Sequence, residues 1–215
     1  MDDDVVDRSN LQRQIIHGTA DIGRSKVRSA EVRVKDINPH VETVLYEERA
    51  EAENLMEILS KYDFIIDAVD SFASKFLIND ACVLAKKPFC HGGIREFQGQ
   101  VMTYVPGCGP CYRCIFEEIP ADGQIDSCSQ AGVLGTMPGI IGSLQALEAQ
   151  KYLLGTGDLL TGAMLVFDGL SMEFRKVKFS KASPSCRVCG EKADIKTLEK
   201  SEYEVAAACQ WKGKQ

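Results

Sequence analysis

Four cysteines in two close pairs carry the plainest chemistry in this sequence: Cys111 and Cys114 form one CxxC, and Cys186 and Cys189 form a second. Two thiolates three positions apart can meet one ion at a tight turn, and two such pairs supply the four sulfur ligands of a closed, structural zinc site. Pro110 ahead of the first pair and Gly190 behind the second are the turn-formers that such knuckles need. A redox CxxC would account for one pair and leave the other idle, so the doubling favours zinc. The ion would be held by elements at 108–114 and 186–189 and would pin a late segment to the middle of the chain. The other five cysteines are Cys82, Cys90, Cys108, Cys128 and Cys209, and an odd, scattered set of nine does not make a disulfide scaffold. These five divide between buried small hydrophobes and reactive thiols, and Cys128 is open to both readings.

A second set of residues suits phosphate. Asp67 and Asp70 lie at the end of the apolar run DFIIDAVD. At the C-terminal edge of an open α/β sheet such carboxylates either cap the next helix or hold a divalent ion that carries phosphate oxygens. Arg13 and Lys26, with Asn10 and Gln14 close by, are cations in an otherwise acidic terminus. Each alone is ordinary surface decoration. Grouped with Asp70 they suit a nucleoside-triphosphate site, with the arginine forking to phosphate, the lysine acting as a point charge and the aspartate holding magnesium.

These groups need a scaffold, and the periodicity predicts an α/β one. Residues 25–36 carry apolar positions at helical spacing and stop before Pro39; 41–46 is β-branched and reads as a strand; 53–62 reads as a helix and 63–70 as a buried strand. A long amphipathic helix is predicted over 72–87, followed by a strand from Pro88. This rhythm predicts a Rossmann-like, mostly parallel sheet with crossover helices. From Gly92 to Pro106 the pattern changes to that of an antiparallel strand with one wet face, 140–154 reads as a helix, and 162–179 as two strands turning near Gly169, so an antiparallel extension is expected. No repeat or low-complexity linker divides residues 1–215, which are read as one domain.

With 215 residues and 45% hydrophobic composition the chain can bury one substantial core. Its 31 acidic and 25 basic residues give a net charge of -6, which argues against nucleic acid as a partner. No run approaches a membrane span and the start, MDDDVVD, is not a signal peptide, so a cytoplasmic location is expected.

The motifs in their order also carry a resemblance. DDDVVDRSNLQRQ from Asp2, GRSKV around Lys26, INPHV, DAVDSFASKFLINDAC, GQVMTY, PCYRC, CSQAGVLGTMPGIIGSLQALEAQKYLLG from Cys128, and CRVCG are together similar to the superfamily of ubiquitin-activating enzymes and their bacterial relatives, the ThiF, MoeB and HesA proteins. The resemblance implies an enzyme that binds ATP and magnesium. It would adenylate the terminal glycine carboxylate of a ubiquitin-fold sulfur carrier ending in Gly-Gly, for thiamine or molybdenum cofactor synthesis. It implies that Asp2 matches a ribose-binding acid, Asn10 and Arg13 lie at the nucleotide, Lys26 is the phosphate lysine and Asp70 the magnesium-associated aspartate. Cys128 falls where several members carry a cysteine linked to the carrier or to sulfur transfer, and a cysteine desulfurase or other sulfur donor would then be a further partner. A homodimer is implied, with Arg13 crossing to the neighbouring site. Ser71 stands where the family usually has Asn. The resemblance begins at about the end of the family's second strand, so the first strand and Gly-rich phosphate loop are not in this sequence, and no GxGxxG occurs in it. That leaves a non-catalytic, zinc-stabilised carrier-binding or dimerisation module as the alternative, and an uncovered sheet edge as the structural expectation.

Overall fold

The computed structural model describes residues 1–121, 132–179 and 181–203. Cys128 and Cys209 lie outside these. The five strands β1 (Ile65–Asp67), β2 (Phe89–Arg95), β3 (Gln98–Tyr104), β4 (Ala163–Asp168) and β5 (Glu173–Lys178) form one sheet in that order. Only β1 and β2 run parallel, in the register Ile65 to Phe89 and Asp67 to His91, and every other neighbouring pair is antiparallel. The sheet is therefore Rossmann-like at one edge and mostly antiparallel, not mostly parallel as the periodicity suggested.

The cause lies in two segments. Residues 41–46 form no ladder; they are held by isolated bonds such as Asp2 N–H to the Tyr46 carbonyl at 3.1 Å and Lys35 Nζ to the Val41 carbonyl at 2.5 Å. β-Branched composition favours extension, but a strand exists only where a neighbour satisfies its backbone groups. The run at 63–70 contributes only the three residues of β1. Two hairpins, β2–β3 and β4–β5, and the long-range pairing of β3 with β4 then add three antiparallel pairs.

The helices cover both faces. Helices α1 (Lys26–Ile37), α2 (Leu55–Ser60), α3 (Phe72–Leu84) and α5 (Thr136–Leu154) follow the predicted order, with α5 starting four residues ahead of the expected 140, and the short α4 (Tyr112–Ile115) forms between α3 and α5 where only a tight turn was expected. Alternation along β2 and β3 sorts the core: Phe89, Met102 and Tyr104 pack with Phe76, Leu77 and Tyr112 on one side, and Cys90 and Val101 meet Ile141 of α5 on the other. At the end nearest Tyr104 both faces of β3 are buried, so the wet face expected there does not exist. Helix α3, expected to be amphipathic, is buried from Lys75 through Cys82 without a break. Such burial all round forces each polar side chain of α3 to find a partner.

Helix α5 approaches the sheet through a glycine. A Cβ on Gly92 would lie 2.5 Å from the Gln145 amide carbon. The gap lets Gln145 Nε2 donate to the carbonyls of Asp67 at 2.7 Å and Cys90 at 3.0 Å, joining α5 to the ends of the parallel pair. Among the described residues no helix is long and apolar enough to cross a membrane.

Gly92→Ala should displace Gln145 and leave two buried carbonyls short of a donor. The expected cost is about 1–3 kcal/mol of unfolding free energy by urea titration, with metal content unchanged. An unaltered midpoint would mean that the close approach is not constraining.

Candidate functional site

The two CxxC pairs converge. Cys111 Sγ lies 3.8 Å from Cys114, 3.6 Å from Cys186 and 3.5 Å from Cys189, and Cys114 and Cys189 are 3.3 Å apart. A tetrahedron with metal–sulfur bonds of about 2.3 Å has edges of about 3.8 Å, so the donor set and its spacing fit zinc. Backbone turns create the approach: Cys114 N–H donates to the Cys111 carbonyl at 3.1 Å and Gly190 N–H to the Cys186 carbonyl at 3.0 Å. A Cβ on Gly190 would lie 2.6 Å from the carbonyl oxygens of both Cys186 and Pro184, so this knuckle requires glycine. Ser183 N–H donates to Cys114 Sγ at 3.3 Å, orienting a ligand from outside the shell.

Helix α3 anchors the first knuckle. Asn79 Oδ1 accepts from the Tyr112 N–H at 2.8 Å, and Arg113 forks onto Asp80 through Nε at 3.1 Å and Nη2 at 2.6 Å, its guanidinium also lying over the Phe76 ring. Asp80 further accepts from Tyr203 Oη at 3.1 Å, bringing in the late segment that carries the second knuckle. Sequence reading missed these partners. Their signal was the polar pair Asn79 and Asp80 inside an apolar helix.

At the other end of α3 the carboxylates separate in role. Asp67 is 1% exposed; Oδ2 accepts from His91 Nδ1 at 2.8 Å and lies 3.6 Å from Lys75 Nζ, and Oδ1 accepts from the Val69 N–H at 3.1 Å. Burial pushes its carboxyl up, and Lys75, His91 and the Val69 N–H outweigh that and hold it below the ordinary value. Asp67 is thus committed inside the fold. Asp70 is exposed at the C-terminal edge of β1, one residue before Ser71, whose hydroxyl caps α3 by accepting from the Ser74 N–H at 3.1 Å.

The N-terminal candidates gather beside α1. Val6 N–H bonds the Arg24 carbonyl at 2.8 Å and Lys26 N–H the Asp4 carbonyl at 3.0 Å, which places Lys26 Nζ 3.7 Å from Asp2 and 2.6 Å from Asp4. Asn10 is buried and forms a capping box with Asp7 at the 3-10 turn Arg8–Gln12. Arg13 donates to the Ser9 carbonyl at 3.3 Å. Gln14 Oε1 is buried with no hydrogen-bond partner among the described residues, an acceptor that a ligand N–H or O–H can satisfy. Gln12 Nε2 reaches the Val133 carbonyl at 3.5 Å, so this turn leans on the approach to α5. Among the described residues no hydrogen bond or ion pair joins Asp70 to Lys26 or Arg13.

The remaining thiols sort by burial. Cys82 and Cys90 are buried, and burial pushes the Cys90 thiol up to about 12, so both behave as hydrophobes; Cys108 is exposed.

Comparison with known proteins adds to this geometry. The ThiF family model matches residues 1–188. The SAMP-activating enzyme E1 of Haloferax volcanii is 42% identical over 208 residues, covering 97% of this chain and 76% of that protein. The adenylyltransferase and sulfurtransferase MOCS3 of Drosophila virilis is 42% identical over 206 residues, and the chain spans only 45% of its length. Among solved structures, Escherichia coli MccB with ATP superposes with a TM-score of 0.75 at 19% identity, over 88% of this chain and 57% of that one. That likeness concerns the fold alone.

The purified chain is expected to hold about one zinc per subunit, and Cys189→Ser should lower metal content and melting temperature together. Full zinc occupancy in that variant, by elemental analysis, would remove Cys189 from the ligand set. Burial, reinforced by Lys75 and opposed by Asp67, lowers the His91 pKa, so the folded ring stays neutral while the unfolded ring gains a proton as pH falls through about 6.5. Stability from this group is therefore present above that pH and lost below it. His91→Asn should flatten the fall in unfolding free energy between about pH 7.5 and 5.5, with His17, also lowered by burial, keeping a residual slope. Parallel profiles for the two proteins would contradict the assignment.

Proposed function

The chain belongs to the ThiF family, and on that footing we propose that it uses ATP to adenylate the C-terminal glycine carboxylate of a small ubiquitin-fold sulfur carrier ending in Gly-Gly. The observation that carries this reading is the folding back of the acidic start onto the first turn of α1. It sets Lys26 against Asp2 and Asp4, with the unpartnered Gln14 acceptor on the same N-terminal segment. The names of the relatives, which refer to SAMP activation and to adenylyl and sulfur transfer, support the same class.

In this reading Asp2 accepts from the ribose hydroxyls, Asn10 and Gln14 meet the nucleotide, and Arg13 and Lys26 neutralise the phosphates. Asp2 and Asp4 give Lys26 a resting partner that phosphate replaces. A carrier carboxylate oxygen attacks the α-phosphorus, the bond to the bridging oxygen of pyrophosphate breaks, and acyl adenylate and pyrophosphate leave. Because the nucleophile is already ionised, charge neutralisation matters more than a strong base. Asp70, exposed at the sheet edge, would hold magnesium, which when bound spreads the phosphate charge. A homodimer that lends Arg13 across its two-fold, and a sulfur donor such as a cysteine desulfurase acting after adenylation, complete the proposal, as does a thiamine or molybdenum cofactor pathway. Cys128 belongs to the sulfur step or is a plain thiol. The second reading is a carrier-binding or dimerisation module without turnover, held together by the four converging thiols.

Carrier-dependent exchange of labelled pyrophosphate into ATP separates the two readings. Asp70→Ala should reduce exchange by at least about a hundredfold with zinc still bound, and Cys128→Ala should retain it, because the acyl adenylate forms without a thiol. Exchange that survives Asp70→Ala would refute the magnesium role, and no exchange with any Gly-Gly carrier would favour the module.

A further inference from the structure

We propose that Lys75, His91 and Asp67 form a positioning device for Asp70, fixing the turn that presents its carboxylate at the sheet edge; the proposal rests on the adenylation reading for what Asp70 then holds. None of the three touches a reacting group, since all are buried under the turn. Asp67 Oδ1 takes the Val69 N–H at 3.1 Å and so bends the chain immediately after β1. Two residues later the Ser71 hydroxyl takes the Ser74 N–H and starts α3. Asp70 stands between these two side-chain clasps, and the first holds only if the Asp67 carboxylate is itself fixed.

Its orientation comes from both flanking elements. His91 Nδ1–H donates to Oδ2 from β2 at 2.8 Å. Gln100 Nε2 lies 3.3 Å from His91 Nε2 across the β2–β3 pair, and an amide donor at that nitrogen leaves the proton on Nδ1, where Asp67 needs it. Lys75 lies one helical turn beyond Ser71. It brings its charge to 3.6 Å from Oδ2 and also donates to the Gly92 carbonyl at 2.8 Å. The circuit therefore runs from β1 through the turn to α3, across to β2 and back, enclosing the backbone on either side of Asp70. Apolar packing would hold β1 on β2 at least as well as buried charges do, because desolvating an ion pair consumes most of its Coulombic gain. What the charged trio adds is direction, and the direction it fixes is that of residues 67–71.

The test uses the full chain. His91→Phe removes the Nδ1 donor while filling the space beside Tyr112, whereas His91→Asn keeps a donor near the Nδ1 position. Positioning predicts that His91→Phe raises the magnesium concentration needed for half-maximal pyrophosphate exchange by about tenfold, with KM for the carrier within roughly twofold of wild type, and that His91→Asn recovers most of the loss. A His91→Phe protein with lower melting temperature and fewer active molecules, but an unchanged magnesium requirement, would overturn the proposal. Amide hydrogen exchange supplies an arm that needs no turnover. His91→Phe should speed exchange across 68–71 and leave the β4–β5 pair, which holds none of the trio's partners, as in wild type. Protection unchanged at the turn would overturn the positioning role even if wild type proves active. Wild type without pyrophosphate exchange would instead refute the adenylation reading and, with it, the purpose assigned to the turn.

Discussion

Burying the Asp67 carboxylate at the end of a three-residue strand imposes a condition that much of this molecule meets. A charge 1% exposed needs opposite charge and hydrogen-bond donors, or it costs several kcal/mol. The donors come from three elements: Lys75 from α3, His91 from β2 and the Val69 N–H from the turn, while Gln145 of α5 takes the carbonyl of the same residue. Helices on opposite faces of the sheet are thereby referenced to one point on its edge. Packing alone would place them less definitely, because apolar contacts tolerate sliding that a set of directed bonds does not.

Helix α3 transmits that reference to the metal knuckles. Its first turn is set by Ser71 and Lys75, and its middle by Asn79 and Asp80, which bind the Tyr112 N–H and Arg113 just after Cys111. Asp80 also receives Tyr203, so two stretches far apart in sequence meet on one carboxylate beside the thiolates. The zinc-type site thus closes the C-terminal part onto the helix that borders Asp70. Metal binding and the sheet edge are coupled through shared backbone, without a shared ligand.

The two knuckles were legible from spacing because four-thiolate sites have few alternatives, and Gly190 was legible as a turn-former for the close approach it permits. Helix order was legible from period. The parallel β1–β2 pair was legible from the same rhythm, but the extent of parallel pairing was not: the 41–46 run has the composition of a strand, yet pairing is a property of neighbours and does not reside in one segment. The role of Asp67 was hidden for a similar reason, since its partners Lys75 and His91 come from separate elements that only the β1–β2 register brings together. Lys75, Asn79 and Asp80 looked like the polar side of an amphipathic helix, and burial on every face turned them into internal anchors.

The residues proposed for the nucleotide stand differently. Lys26, Asp2 and Gln14 share the N-terminal segment, and Asp70 faces solvent at the edge where open α/β sheets take ligands, so the proposed catalysis would require nucleotide and carrier to bridge groups that no direct bond joins among the described residues. Intact-mass analysis of a Gly-Gly carrier after incubation with this chain, ATP and magnesium tests that claim most directly. The expected product is an AMP adduct on the carrier C-terminus, sensitive to hydroxylamine and absent when the terminal glycine is removed. A carrier that stays unmodified while binding the chain, or an adduct that survives loss of that glycine, would contradict it.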